Sequence, residues 1–263
     1  MTIFTFIIRV WSRKPNSVDP VTNKVVAKIP VGSSPCSGLG LGFGSVWVPC
    51  CGDGQVDRID ILANKVIASI PTTVGDSEGG IAVDPSGVWL AADSQGTIVH
   101  IDPTNNSIVG SVKTVPGSFV VAAGEGAIWV TSTAANLLSR IDPHTHKVTA
   151  QREVRPGPHF LAVGEGAVWV INQGDGSVAR VDPATNKVIS TIQADVPGIG
   201  GDIAVGEGFV WVTANARDPS GKPLTKIDPA TNKVVVQFVG ICGWDTARSG
   251  CAASSCRKRG MSA

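Results

Sequence analysis

The chain has 263 residues, of which 43% are hydrophobic and 16% are charged, and it contains 31 glycines and 17 prolines. This composition is typical of a folded, turn-rich β protein rather than of low-complexity disorder. The formal net charge of +1 argues against a nucleic-acid partner, because such proteins need a basic surface. No apolar run approaches the roughly 20 residues of a membrane-spanning helix.

The N-terminal segment, MTIFTFIIRVWSRK, is apolar but lacks a positively charged start and a small-residue cleavage site. We therefore do not predict a signal peptide in this chain. Residues 7–12 match a shortened second strand of the repeat described next, with Trp11 in the tryptophan position. Residues 17–31 match its third and fourth strands.

The rest of the chain repeats a short motif that is centred on tryptophan. Five tryptophans follow glycine-containing turns at intervals of 42, 40, 40 and 42 residues: Trp47, Trp89, Trp129, Trp169 and Trp211. Each is followed by an I-D or V-D pair: Asp60, Asp102, Asp142, Asp182 and Asp228. A T-N-K-V-like turn comes next, intact at 185–188 and 231–234. We expect the tryptophans to form packed cores and the aspartates and asparagines to fix turns.

One unit shows the strands most clearly. The predicted strands A to D are 159–163, 167–172, 177–182 and 187–193, separated by turns rich in glycine, proline and asparagine. Four short antiparallel strands in about 41 residues are typical of a β-propeller blade. A lone blade leaves both faces exposed, so the blades must stack. The sequence therefore predicts an all-β propeller.

The two ends of the chain are predicted to share one blade. Residues 243–250 align with 200–206, and Asp245 then matches Asp202. A C-terminal strand would thus close the ring with residues 5–31 and remove an exposed sheet edge. We predict six blades, five complete and one shared; a seven-bladed ancestor shortened at both ends is the alternative. Residues 1–240 form the propeller, and 241–263 a degenerate closing strand or tail.

The loops that join strand D of one blade to strand A of the next should surround the mouth of the central channel, where ligand sites tend to form. We expect a small molecule or a protein to bind this mouth of a monomeric chain. The predicted ligand-binding residues are Asp76, Glu78, Asp93, Arg155, Asn172 and Asp202. His159 is the candidate general base, because an imidazole titrates near neutrality.

The remaining histidines are expected to have no catalytic role. His100 replaces an arginine or lysine of the repeat and is predicted to be solvated. His144 and His146 form an H-x-H pair in a turn, but the sequence shows no third metal ligand. Glu125 and Glu165 belong to turns on the opposite face.

The cysteines predict a disulfide. Cys36 begins strand A of the first complete unit and Cys50 ends its strand B, at equal distances from a hairpin centre near Phe43. We therefore predict a Cys36–Cys50 bridge, with Cys51 as the partner if the register slips by one residue. A disulfide indicates an extracellular or periplasmic location; reduced thiols in the cytosol are the alternative. No pairing is predicted for three further cysteines: Cys242, Cys251 and Cys256.

The segment GEGAVWVINQGDGSVARVDPATNKV resembles the YVTN-type and streptogramin-lyase-like (virginiamycin B lyase-like) propeller repeats, over about residues 17–240. The resemblance implies a propeller, commonly seven-bladed and exported. It also implies a carbon–oxygen lyase that opens a cyclic depsipeptide by elimination with Mg²⁺. The lyases carry a histidine in a P-H element, matched by Pro158-His159, and a glutamate where this chain has Asn172.

Two functions follow from these observations. The first is a non-enzymatic binding or scaffold propeller with its site at the channel mouth, because no complete catalytic set is present. The alternative is a lyase that acts on a lactone or related cyclic ester, with His159 as base and Mg²⁺ held by Asp or Glu groups on the same face. Asn172 argues against it, unless a neighbouring blade supplies the carboxylate. Binding of single-stranded nucleic acid follows from family analogy alone, and the balanced charge argues against it.

Overall fold

The computed structural model describes residues 15–19, 21–76, 78, 80–196, 201–214 and 224–238. Within these ranges the regular elements are 22 β-strands. They form five four-stranded antiparallel sheets and one two-stranded sheet. The prediction of an all-β propeller is confirmed: five blades are complete, and the two-stranded sheet is the described part of a sixth.

The two-stranded sheet consists of β1 (Asn16–Asp19) and β2 (Lys24–Lys28). The complete blades, numbered 1 to 5 in chain order, take four strands each: β3 (Gly40–Gly42), β4 (Ser45–Cys50), β5 (Gln55–Asp60) and β6 (Lys65–Pro71); β7 (Ile81–Asp84), β8 (Gly87–Ala91), β9 (Thr97–Asp102) and β10 (Ser107–Lys113); β11 (Ser118–Gly124), β12 (Ala127–Ser132), β13 (Leu137–Asp142) and β14 (Lys147–Glu153); β15 (Pro158–Gly164), β16 (Ala167–Asn172), β17 (Ser177–Asp182) and β18 (Lys187–Gln193); β19 (Gly201–Gly206), β20 (Phe209–Ala214), β21 (Leu224–Asp228) and β22 (Lys233–Phe238).

Each blade is a meander whose strands pair in chain order. The first strands of neighbouring blades contact one another and so line the centre, whereas the last strands lie outside. Hydrogen bonds made by the turn residues determine where the strands end. In the turn after β17, for example, the Asp182 carboxylate accepts the backbone N–H groups of Ala184 and Thr185 at 2.9 and 2.8 Å, and Asn186 takes a φ of +57°. The predicted turn-fixing role of these residues is confirmed.

The tryptophans lie between blades, as the repeat predicts. Trp169 packs with Ile203, Val210 and Val212 of the next blade. The tryptophans of blades 1 to 4 are at most 1% exposed, whereas Trp211 is half-buried. Each indole thus removes apolar surface from water at a joint between blades, which is why the residue recurs with the blade period.

At two of these joints a cation lies over the tryptophan ring and bonds to the next blade. The guanidinium carbon of Arg58 lies 4.8 Å from the centre of the Trp47 ring, and its Nη1 donates to Asn106 Oδ1 of blade 2 at 2.8 Å. Arg180 makes the same 2.8 Å bond to Asn232 of blade 5. We call this arrangement the interblade clasp: a cation on the third strand of one blade, bonded to the asparagine turn of the next.

The two-stranded sheet leads into a segment that packs on blade 1. Ile29 belongs to a buried cluster with Val46, Val48 and Ile59. The predicted third and fourth strands within residues 17–31 are confirmed. The predicted second strand with Trp11, the closing strand at 243–250 and the tail 241–263 lie outside the described residues.

The predicted Cys36–Cys50 disulfide is wrong; Cys36 bonds to Cys51, with the two Cα atoms 5.8 Å apart. Phe43 and Gly44 both have positive φ, so the hairpin is centred between them, half a residue later than predicted. Cys36 therefore shares a side of the hairpin with Cys51. Cys50 points to the other side and is buried as a free thiol.

Gly80→Ala is expected to destabilise the protein by about 1–3 kcal/mol through overpacking. A Cβ at position 80 would lie 1.9 Å from the carbonyl oxygen of Phe119, on the first strand of blade 3. Gly206→Ala is the matched control, since a Cβ there meets nothing within 4 Å. Urea denaturation of both variants measures the effect, and equal stability of the two would contradict the close approach of blades 2 and 3.

No helix in the described ranges has the length and apolar character needed to cross a bilayer.

Candidate functional site at the channel mouth

His159 is placed by a bulge at the start of the first strand of blade 4. Pro158 pairs with Asn172 and Leu161 with Val170, so two residues, His159 and Phe160, oppose one on β16. Bulges of this kind redirect side chains and are frequent beside functional sites. The His159 side chain keeps 17% of its surface exposed.

The imidazole reaches a carboxylate from another blade. His159 Nε2 lies 2.7 Å from Oε2 of Glu78, which belongs to the loop before the first strand of blade 2. Blade 3 separates the two in chain order, so the contact crosses the mouth of the channel. We call these two residues the mouth pair. They are 81 residues apart in the chain.

The hydrogen bonds determine where the protons of the mouth pair lie. The Thr133 hydroxyl donates to the Pro158 carbonyl at 2.7 Å, so its oxygen accepts a proton from His159 Nδ1, 3.1 Å away. Nε2 of a neutral ring would then present a lone pair to the Glu78 carboxylate. A contact of 2.7 Å therefore requires one proton between Nε2 and Oε2, and both ring nitrogens are engaged.

A second carboxylate adds to the negative charge of the mouth. Asp202 lies on the first strand of blade 5 and accepts the N–H of Ile203 at 2.8 Å. Surrounding protein atoms displace water from its carboxylate and raise its pKa, although part of its surface stays open to solvent; the negative charge of Glu78 raises the pKa further. The side chain of Asp76 shapes the same loop as Glu78, whose N–H it accepts at 2.9 Å.

Two other predicted site residues bond away from the mouth pair. Arg155 forms a 2.7 Å ion pair with Asp175. Asp93 accepts the Thr97 hydroxyl at 2.6 Å, together with two backbone N–H groups of its own turn. These bonds, with the Thr97 hydroxyl first, lower the pKa of the Asp93 carboxyl. Both side chains therefore stabilise loops.

Asn172 has no exposed surface and donates to the Ser177 hydroxyl at 3.0 Å. It lies within blade 4 and does not line the mouth. The residue that sequence reasoning missed is Thr133, which orients the imidazole. Its position just beyond β12 carries no motif that would have identified it.

Mg²⁺ is the ion that the lyase resemblance implies. The described part of the chain contains no group of three or more His, Cys, Asp or Glu side chains arranged to hold a metal ion. Glu78 is already bonded to His159, and an octahedral Mg²⁺ site needs several oxygen ligands. The described residues of the mouth therefore do not fit such a site.

No protein-family model matches the chain, and no curated protein matches it. Solved structures do. A streptogramin B lyase is 16% identical with a TM-score of 0.70, over 87% of this chain and 76% of that one. A virginiamycin B lyase from Staphylococcus aureus is 17% identical with a TM-score of 0.63, over 78% and 69%. A protein of unknown function from Bacteroides caccae is 15% identical with a TM-score of 0.60, over 87% and 90%. The shared feature is the fold.

Proposed function

We propose that this chain is a binding propeller whose ligand or protein partner docks at the channel mouth, beside the mouth pair. The observation that supports this is the meeting of His159 and Glu78 from two separate blades, with 17% and 36% of their side chains exposed. A small number of polar groups that converge from different elements is typical of ligand sites. Asp202 adds a second carboxylate to the mouth.

Binding fits the geometry better than base catalysis does. A general base needs a free lone pair within hydrogen-bond reach of the proton that it removes. Both nitrogens of His159 are engaged, by Thr133 and by Glu78. The ring thus holds the Glu78 carboxylate in place, and the exposed part of that carboxylate is the polar contact offered to a bound group.

A fragment screen by ligand-observed NMR tests the binding role. Fragments that bind the wild type are retested on Glu78→Gln and His159→Asn, with Glu165→Gln as the control in the turn at the other end of β15. Loss of one hydrogen bond to a charged group costs about 1.5–3 kcal/mol, so we expect each mouth variant to bind at least tenfold more weakly and the control to bind normally. Fragments that bind the mouth variants as well as the wild type would contradict the proposal.

The alternative function is a carbon–oxygen lyase that acts on a cyclic ester. It is favoured by one observation: His159 has a carboxylate partner after all, supplied by Glu78 of blade 2 instead of by position 172. For catalysis Glu78 must leave Nε2, so that the imidazole removes a proton from carbon while the ester C–O bond breaks.

Incubation with a streptogramin B antibiotic, with and without Mg²⁺, separates the two functions. Chromatography detects the ring-opened product. Turnover that disappears in His159→Asn and persists in Glu165→Gln would assign the lyase. Binding of the antibiotic without turnover would assign the binding module.

The disulfide supports a location outside the cytosol. Stable disulfides form in oxidising compartments, and Cys36–Cys51 is bonded. We therefore propose an extracellular or periplasmic protein.

A further inference from the structure

At the joint between blades 2 and 3, histidines occupy both positions of the interblade clasp. His100 lies opposite Trp89 on β9, at the place that Arg58 holds opposite Trp47 in blade 1. His146 takes the asparagine place in the turn of blade 3, with the same left-handed backbone at φ +54°. The two rings bond directly, Nδ1 of His100 to Nε2 of His146, at 2.9 Å.

The neighbouring residues pack closely around the two histidine rings. The His100 ring stacks on Trp89 with a centroid distance of 4.2 Å and an interplanar angle of 3°. Its residue is only 6% exposed, so the prediction that His100 is solvated is wrong. Gly110 makes room for the second ring, because a Cβ there would lie 2.4 Å from His146 Nδ1. The equivalent residue beside Arg58 is Ala68, which has a Cβ.

The number of protons on the pair is limited by its hydrogen bonds. His100 Nε2 lies 3.0 Å from the Ser86 carbonyl oxygen, which only accepts, so Nε2 carries a proton. In a neutral ring Nδ1 is then a lone pair that accepts from His146. One additional proton, bound at Nδ1 of His146, leaves the bond between the rings in place. Two would set N–H against N–H at 2.9 Å and place two positive charges in a buried joint.

We propose that the His100–His146 contact is a proton-sensitive clasp, closed near neutral pH and loosened by mild acid, which opens the joint between blades 2 and 3. A groove of about 510 Å³ already lies there, and its lining includes Asp84, His144 and both clasp histidines. The Arg–Asn clasps between blades 1 and 2 and between blades 4 and 5 carry no group that titrates in this range.

The charges around His100 set the direction of the pH effect. Burial lowers the pKa of His100 from its ordinary 6.5, and His146 lowers it further; the Ser86 carbonyl and the carboxylates of Asp84 and Asp102 oppose the shift. The folded state therefore binds protons less readily than the unfolded chain. The contribution of neutral His100 to stability is complete above pH 6.5. It is lost as the pH falls from there through the pKa of His100 in the folded state.

The test is a comparison with the clasp of the other blades. The double variant His100→Arg/His146→Asn installs the Arg–Asn pair, and Pro143 supplies the carbonyl that Pro103 offers to Arg58. Urea midpoints are measured from pH 7.5 to 5. We expect the wild-type midpoint to fall further than that of the double variant. His144→Asn, which removes the exposed histidine of the same turn, should follow the wild type.

If the urea midpoints of the wild type and the double variant fall by the same amount between pH 7.5 and 5, the proposal is overturned. Should the double variant not fold, ¹⁵N NMR of histidine-labelled wild type decides. The expected result is that His100 gains its second ring proton only below its ordinary pKa, together with loss of the His100–His146 hydrogen bond. A hydrogen bond that persists through pH 5 would contradict it.

Discussion

Trp169→Ala is expected to lower the free energy of unfolding by about 3–5 kcal/mol, the range for deleting a large aromatic side chain from a core. Trp169 has no exposed surface and packs against blade 5 through Ile203 and Val212. Its indole N–H donates to the Gly164 carbonyl at 3.0 Å. The variant would also deprive Arg180, now 5.1 Å from the ring centre, of its aromatic partner.

Trp211→Ala is the matched control for this prediction. Trp211 has the same place in blade 5 and makes the same indole bond, to Gly206 at 3.2 Å, but it is half-buried. Because Trp211→Ala returns less apolar surface to water than Trp169→Ala, we expect a smaller loss in the free energy of unfolding. Urea denaturation followed by far-ultraviolet circular dichroism measures both. An equal or larger loss for Trp211→Ala would show that burial at the joints does not govern stability.

The repeat could be predicted because blade architecture imposes the same local constraints on every unit. A tryptophan is needed wherever one blade covers the next, and an aspartate wherever a turn has N–H groups to satisfy. Both constraints are local, or involve adjacent units, and so they recur at the period of the chain. The sequence was therefore sufficient for the strands, their order and the cores around residues such as Trp129.

The mouth pair could be predicted only in part. His159 and Glu78 were both assigned to the mouth, because the loops that carry them open on one face. Their direct contact depends on the path of the loop before β7 and on the width of the ring, and neither leaves a periodic signal. Arg155 was assigned to the same mouth, and its ion pair with Asp175 in a turn of blade 4 left no periodic signal either.

The error on His100 has a different cause. Comparing this position with the same strand position in the other repeats showed only that His100 replaces an arginine or lysine. Comparison with the next blade shows that the asparagine facing this position had been replaced too, by His146. In a stacked repeat the informative unit is the joint, not the blade.

Cys51→Ala is expected to cost about 3 kcal/mol of stability under oxidising conditions. The disulfide to Cys36 closes a loop with a sequence separation of 15, and crosslinking a loop of about 15 residues is worth about 3 kcal/mol in the chain-entropy model. Cys50→Ala is the control, because it leaves the crosslink in place. Reducing agent should remove most of the difference in midpoint between Cys51→Ala and the wild type.

Cys50 should stay outside the disulfide for a chemical reason as well as a geometric one. Burial, followed by the charge of the adjacent Asp57, raises the pKa of its thiol to about 12. Exchange requires a thiolate, so Cys50 should neither attack Cys36–Cys51 nor react with iodoacetamide in the native protein at neutral pH. Among Cys36, Cys50 and Cys51, non-reducing peptide mapping would then yield the 36–51 bridge and no bridge to Cys50. A 36–50 bridge would mean that the hairpin is centred on Phe43, half a residue earlier, so that Cys50 and not Cys51 shares a side of the hairpin with Cys36.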